Sequence, residues 1–244
     1  FVLPRGSLHV AFNKDLLLKS CLVGLFLGSG YIFQSIGLTK TTVGKTGFIT
    51  GLYVVLTPII AFLFLKKRIS KWDWTSALLA TIGLGLLSFK GFGIGLGELL
   101  VLISAVLFAI HILALSEWAS NLDVYALATA QLGTCAIITF VASLFGGFKT
   151  PPDGGVWKAI VFTALFATAF AFIVQTWTQS FMPATTVAVI LTLEAVFAAA
   201  FGLLFLDEAL TLRIALGGLL VLIAMYMIIF FEAKSMKLEG SYHD

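Results

Sequence analysis

The chain is short of charge. Asp, Glu, Lys and Arg make up 11% of its 244 residues, where soluble domains carry about a quarter. That deficit excludes an ordinary water-facing surface. Cysteine is scarce too: Cys21 and Cys135 both lie in apolar stretches, and neither has a CxxC or His-spaced partner. A disulfide framework and a Cys/His zinc site are thereby excluded, and each thiol reads as a small hydrophobe. No nucleotide-binding P-loop, HExxH or GxSxG motif occurs, and no basic patch is interleaved with aromatics in the manner of nucleic-acid binders. The net charge of +3 comes from loops rather than from one basic face.

What fills the chain instead is apolar: 60% hydrophobic residues and a mean hydropathy of +1.07. Uncharged runs fall at 20–39, 46–65, 74–89, 99–116, 124–148, 159–193 and 214–231. Crossing a bilayer takes about 20 mostly apolar helical residues. The run 159–193 is long enough for nearly two crossings, and Phe181-Met182-Pro183 divides it, since proline suits a helix's first turn better than its interior. Eight spans are expected, near 17–37, 45–65, 74–89, 98–116, 123–145, 157–180, 183–206 and 212–231. The period-2 alternation of a barrel strand is missing, so the fold class is an all-α polytopic membrane protein. Nine Lys and Arg residues fall on one side of these spans and six on the other, and the cluster Lys66-Lys67-Arg68 decides the bias. The positive-inside rule then places that cluster, the N-terminal loop and the C-terminus in the cytoplasm, with cell-membrane localisation expected.

Sliding the sequence along itself by 141 residues brings its halves into register. Gln34 meets Gln175, Ile49 meets Ile190, Leu52 meets Leu193, Val55 meets Val196, and Leu63-Phe64-Leu65 falls on Leu204-Phe205-Leu206. Leu78, Leu79, Ile82 and Phe89 also meet identical residues, and Lys66-Lys67 aligns with Asp207-Glu208. Such repeats are a common construction in secondary transporters. The register divides the chain into 1–96, a partial first repeat of three spans, and 97–231, a second repeat of five, followed by a cytoplasmic tail at 232–244. Counterparts of 98–116 and 123–145 would lie before Phe1. The expectation is a ten-helix protein of two inverted five-helix repeats, about eight of whose helices are in this chain.

Several stretches resemble the EamA-type families of the drug/metabolite transporter superfamily. They are Gln175-Thr176-Trp177-Thr178-Gln179, Pro183-Ala184-Thr185-Thr186, Leu193-Glu194-Ala195-Val196-Phe197-Ala198-Ala199 and Leu206-Asp207-Glu208-Ala209-Leu210-Thr211. The family typically reads LEPVFAA followed by a GE-x-L-T turn; here Ala195 stands for the proline and Asp207 for the glycine. The first repeat carries the similar Thr42-Val43-Gly44-Lys45-Thr46-Gly47-Phe48-Ile49-Thr50-Gly51-Leu52-Tyr53. The likeness covers 15–231. It implies a substrate cavity between inverted repeats and movement of small metabolites, often outward, with a bacterial inner membrane as the setting.

The polar residues inside the spans are few. An ionised acid at mid-bilayer costs roughly 2.5–3.5 kcal/mol on insertion scales, and Glu194 stands near the centre of its span. The small residues Ala195, Ala198, Ala199 and Gly202 favour close helix packing, so the carboxylate is expected to point into a bundle. It reads either as a neutral packing hydrogen bonder or as a cavity residue that binds substrate or carries a proton. His111, Gln131, Gln175 and Gln34 divide in the same way between helix–helix contact and cavity lining. Gln34 and Gln175 occupy equivalent repeat positions, and Tyr53 aligns with Glu194. Tyr53 and Trp177 add aromatic and polar contacts to the candidate substrate-binding set. Pro58 is expected to kink its span or free a carbonyl. Gly24-xxx-Gly28 and Gly47-xxx-Gly51 read as close-packing motifs.

An intramembrane enzyme would need facing Ser/His, paired aspartates or metal ligands. Away from their end residues Glu98 and Asp123, the spans hold one Glu, one His and no Asp, so no enzyme is expected, and no cofactor or metal. A channel would need a charged ring or filter segment, and none occurs. The sequence reads as a secondary transporter of small metabolites, with a non-transporting membrane assembly subunit as the alternative. Its mixture of aromatics, amides and one acid suits an amphipathic substrate such as an amino acid, within a lipid bilayer and without nucleic acid.

Overall fold

A computed structural model describes residues 14–88, 95–146, 150–205 and 211–240. Among them no strand occurs, and the helices follow the uncharged runs. They are α1 (Lys14–Leu38), α2 (Val43–Gly51), α3 (Tyr53–Phe64), α4 (Lys71–Ser88), α5 (Leu96–Ala119) and α6 (Val124–Phe145). After these come α7 (Gly154–Phe162), a π-helical stretch (Thr163–Phe170), α8 (Ala171–Gln179), α9 (Ala184–Leu191), α10 (Leu193–Phe205) and α11 (Leu212–Gly240). Since α2–α3, α7–α8 and α9–α10 each run on as one length of helix, this makes eight helical elements among the described residues. Seven are long and apolar enough to cross a membrane. The eighth, α4, opens with Lys71-Trp72-Asp73-Trp74-Thr75-Ser76, and those polar residues dilute its apolar length. Phe89, Lys90 and residues 206–210, the last of which carried part of the resemblance, lie outside the described residues.

The chain divides into two compact units. The first comprises the described residues of Phe1–Ile32 with Leu113–Met182. Its core joins Leu16 and Val23 of α1 to Leu115 and Ala119 of α5 and to Ala126 and Leu127 of α6. Gly24 lets α1 approach α6 closely: a Cβ there would run into the Gln131 carbonyl oxygen and sit 2.7 Å from Thr134 Cβ. The expected Gly24/Gly28 packing motif is thus a helix-crossing surface. Asp123 starts α6 by accepting from the Ala126 N–H at 2.8 Å, and Asp153 starts α7 by accepting from Gly155 and Val156. Both are N-caps of the ordinary kind.

The second unit comprises Phe33–Ile112 with the described residues of Pro183–Asp244. Its most extensive helix pair is α4 with α11, the two helices that the 141-residue register superposes. Gly83 and Gly217 make the pair tight: a Cβ on Gly83 would lie 2.7 Å from the Gly217 carbonyl oxygen, and one on Gly217 2.8 Å from that of Gly83. Bare backbone on both helices permits this approach, as small residues do between membrane helices. At one end of the pair Trp72 stacks on Phe231 at 3.6 Å. At the other, Arg213 donates to the Gly85 carbonyl at 3.1 Å. Helix α11 continues to Gly240, so the start of the expected tail extends the last span.

Two spans of this unit are broken near their middles, and the breaks match. At Leu52, between α2 and α3, the N–H of Leu52 bonds to the Ile49 carbonyl at 3.2 Å and that of Val55 to Leu52 at 3.0 Å. At Thr192, between α9 and α10, the N–H of Thr192 bonds to Val189 at 3.2 Å and that of Ala195 to Thr192 at 3.1 Å. Each is a local tightening from i−4 to i−3 bonding, and the two fall within one residue of the repeat register. Pro58 had been expected to be the interruption. Instead α3 runs through it, and the break lies upstream, at a position whose counterpart in the other span has no proline nearby.

Candidate functional site

The second break determines where Glu194 stands. It lies in the first turn of α10, directly after the tightened residue. Its side chain is exposed, and so are Phe197, Ala198 and Phe201, which share its face. The expectation that this face is buried in a helix bundle is therefore corrected: the small residues of α10 do not cover the carboxylate. An exposed mid-span acid belongs beside water or a ligand, because hydrocarbon would charge several kcal/mol for it. Tyr53, half-buried, stands in the first turn after the other break. The two residues aligned by the repeat thus belong to one unit, one on α3 and one on α10.

The other candidates are placed less alike. Gln34 is half-buried and donates from Nε2 to Thr50 Oγ1 at 2.9 Å, joining α1 to α2. His111 is buried on α5 at 2% exposure, so it does not line an open surface here. All four of these residues belong to the second unit.

Gln131, Gln175 and Trp177 belong to the first unit. Gln131 is fully buried and donates to Thr176 Oγ1 at 2.9 Å, which makes it an α6–α8 packing contact. Gln175 is half-buried and donates to Gln179 Oε1 at 3.0 Å; Gln179 in turn donates to Ser116 Oγ at 2.7 Å. Trp177 is 57% exposed and meets Phe181 edge-on at 5.0 Å. Although Gln34 and Gln175 are equivalent in register, their partners are not: one binds a threonine on the next helix, the other a glutamine one turn along its own. Thr50, Thr176, Gln179 and Ser116 were not foreseen as partners. The i+4 spacing of Gln175 and Gln179 was the available signal for one of them.

A further polar cluster lies at the start of α2. Glu98, in the first turn of α5, accepts through Oε1 from Thr41 Oγ1 at 2.7 Å and from Lys45 Nζ at 3.0 Å. Its Oε2 accepts from the Gly95 N–H at 2.9 Å. Thr42 caps α2 by accepting from the Lys45 N–H.

A family profile described as the EamA-like transporter family matches residues 3–89 and 95–230. An uncharacterized transporter of Archaeoglobus fulgidus is 36% identical over 207 residues, 84% of this chain and 67% of that protein. The uncharacterized transporter YoaV of Bacillus subtilis is 24% identical over 229 residues, 89% of this chain and 77% of its own. One protein of known crystal structure superposes with a TM-score of 0.79 at 17% identity, covering 93% of this chain and 80% of the other. That likeness is one of fold.

Proposed function

The chain belongs to the EamA-like transporter family and is a multi-pass membrane transporter of small molecules, and from that premise we propose that it exports a small amphipathic metabolite across the cell membrane by alternating access. The observation that carries this reading is the placement of Glu194 and Tyr53, an exposed carboxylate and a half-buried phenol that follow matched mid-span breaks within one unit. A broken span frees backbone groups and directs side chains at a substrate near the membrane midplane. The carboxylate offers an ion pair to an amine or a site for a proton, and the phenol offers a hydrogen bond. In this proposal Gln34 assists from the same unit. His111, buried on α5, holds helices together in that unit, while in the first unit Gln131 packs α6 on α8, and Gln175 and Trp177 offer an amide and an indole there. The first repeat spans 1–96 and the inverted second one 97–231, with the C-terminus from 232 onward in the cytoplasm.

An export screen tests the reading. The full-length gene is expressed in cells challenged with toxic concentrations of individual amino acids and related metabolites. At least one challenge is relieved by the wild type and not by Glu194→Ala at equal membrane expression. Relief that Glu194→Ala leaves intact removes Glu194 from the substrate path, and relief of none favours an assembly role.

A further inference from the structure

We propose that the N-terminus of α9, Pro183–Thr186, binds an oxyanion, namely a carboxylate or phosphate carried by the transported metabolite. This subsite rests on the transport reading and adds a substrate class to it. The first N–H groups of a helix have no acceptor inside the helix, and together with the aligned peptide dipoles they attract anions. At α9 no side chain fills that role: Pro183 stands at the cap position with an extended backbone and makes no side-chain bond. Ala184, Thr185 and Thr186 are all buried, at 9%, 5% and 0% exposure. Buried backbone donors normally find partners. Among the described residues, the Thr186 hydroxyl is also buried without one. Thr186 is the third helical residue, where the Cα–Cβ bond tilts toward the helix N-terminus.

The repeat shows what such a place holds when filled. In the 141-residue register Thr42 stands for Pro183 and Lys45 for Thr186. At the start of α2 the chain supplies its own carboxylate: Glu98 accepts from Thr41 at 2.7 Å and from Lys45 at 3.0 Å. At the start of α9, among the described residues, no side chain caps the helix. The donors there await a carboxylate from elsewhere. Helix α9 packs on α3, and α3 ends shortly before Lys66-Lys67-Arg68, so the subsite faces the side of the membrane that carries the strongest positive cluster. Eight residues separate Thr186 from Glu194, about 12 Å of helix. A small substrate therefore meets the two in succession, its anionic end first at α9.

The test uses the full chain in nanodiscs of phosphatidylcholine, with succinate as the probe and succinamide as its neutral counterpart. Succinate is expected to raise the melting temperature in a concentration-dependent way, and succinamide to leave it unchanged. Thr186→Val removes the hydroxyl at nearly constant shape. It should weaken the apparent affinity for succinate about tenfold, the scale of a hydrogen bond to a charged group, while the ligand-free melting temperature holds or rises, because a buried hydroxyl without a partner is gone. A purely structural threonine would instead lower it. Ala184→Pro is the second variant: proline fits the first helical position and the extended residue before it. It deletes one N–H donor and should weaken binding a few-fold. Glu194→Gln should bind succinate no more weakly than the wild type even where transport fails, which separates loss of the subsite from loss of the transport reading. The subsite is overturned if wild type shows no succinate-dependent shift, or if both α9 variants respond as wild type does. It is also overturned if only phosphatidylglycerol in the discs raises the melting temperature, since the occupant is then a lipid headgroup.

Discussion

The spans at 43–64 and 184–205 share a backbone and differ in chemistry. Both start from an extended cap residue, both tighten to i−3 bonding in mid-span, and both resume as helix with a polar residue in the next turn. The first is closed on itself. Thr42 caps it, and Glu98 and Lys45 neutralise each other at its mouth, with side chains only 12% and 21% exposed. The second keeps its cap donors unused and its carboxylate exposed. A duplicated frame thus provides one arm that is satisfied by the protein and one that has capacity left for a ligand. That comparison is why the proposed substrate path is drawn along the second arm.

The heaviest blow to this frame falls on the helix pair α4–α11. Gly83→Val drives a side chain into the Gly217 carbonyl and Val221. Overpacking on that scale costs about 3 kcal/mol, and detergent-solubilised Gly83→Val is expected to lose its monodisperse size-exclusion peak. Next comes the closed arm. Lys45→Ala leaves Glu98 with one donor fewer and is expected to lower the melting temperature. Glu98→Gln in the Lys45→Ala background should cost much less than it does alone, and a thermal-denaturation double-mutant cycle measures that coupling. Additive losses would mean that the pair does not close the arm. The smallest effects sharpen the contrast by exchanging caps. Thr42→Ala is expected to destabilise by about 1 kcal/mol, whereas Pro183→Ser adds a capping oxygen to α9 and should stabilise by a similar amount. Equal and opposite shifts in melting temperature confirm that one cap is satisfied and the other is not.

The spans were legible because hydrocarbon imposes its length on any helix that crosses it, and uncharged runs of that length have few other uses. Pro183 was legible as a helix start for a steric reason, and its extended backbone agrees. The mid-span breaks were not. They arise from three-residue hydrogen bonds that leave no mark in composition, and Pro58 pointed to the wrong turn. The Thr192 hydroxyl bonds to the Val189 carbonyl at 2.6 Å, a contact that in a sequence is merely a threonine among apolar residues. The Glu98–Lys45 pair joins residues 53 positions apart, beyond any local pattern. Glu194 was found from its cost, since a carboxylate amid apolar neighbours is conspicuous. Its surroundings were misjudged, because small residues permit a neighbouring helix without guaranteeing one. His111 and Gln131 illustrate the converse: polar type singled them out, and burial sets them apart from the accessible residues.

The central claim is that the carboxylate at the second break is a transport group and the phenol at the first its weaker partner. The most direct measurement compares export rates of Glu194→Gln and Tyr53→Phe with wild type, for whichever metabolite the full-length protein is found to relieve, at equal membrane expression. The account predicts a loss of tenfold or more for Glu194→Gln, since a charge-assisted contact is removed, and a loss of a few-fold for Tyr53→Phe. Wild-type export by a folded Glu194→Gln protein would contradict it.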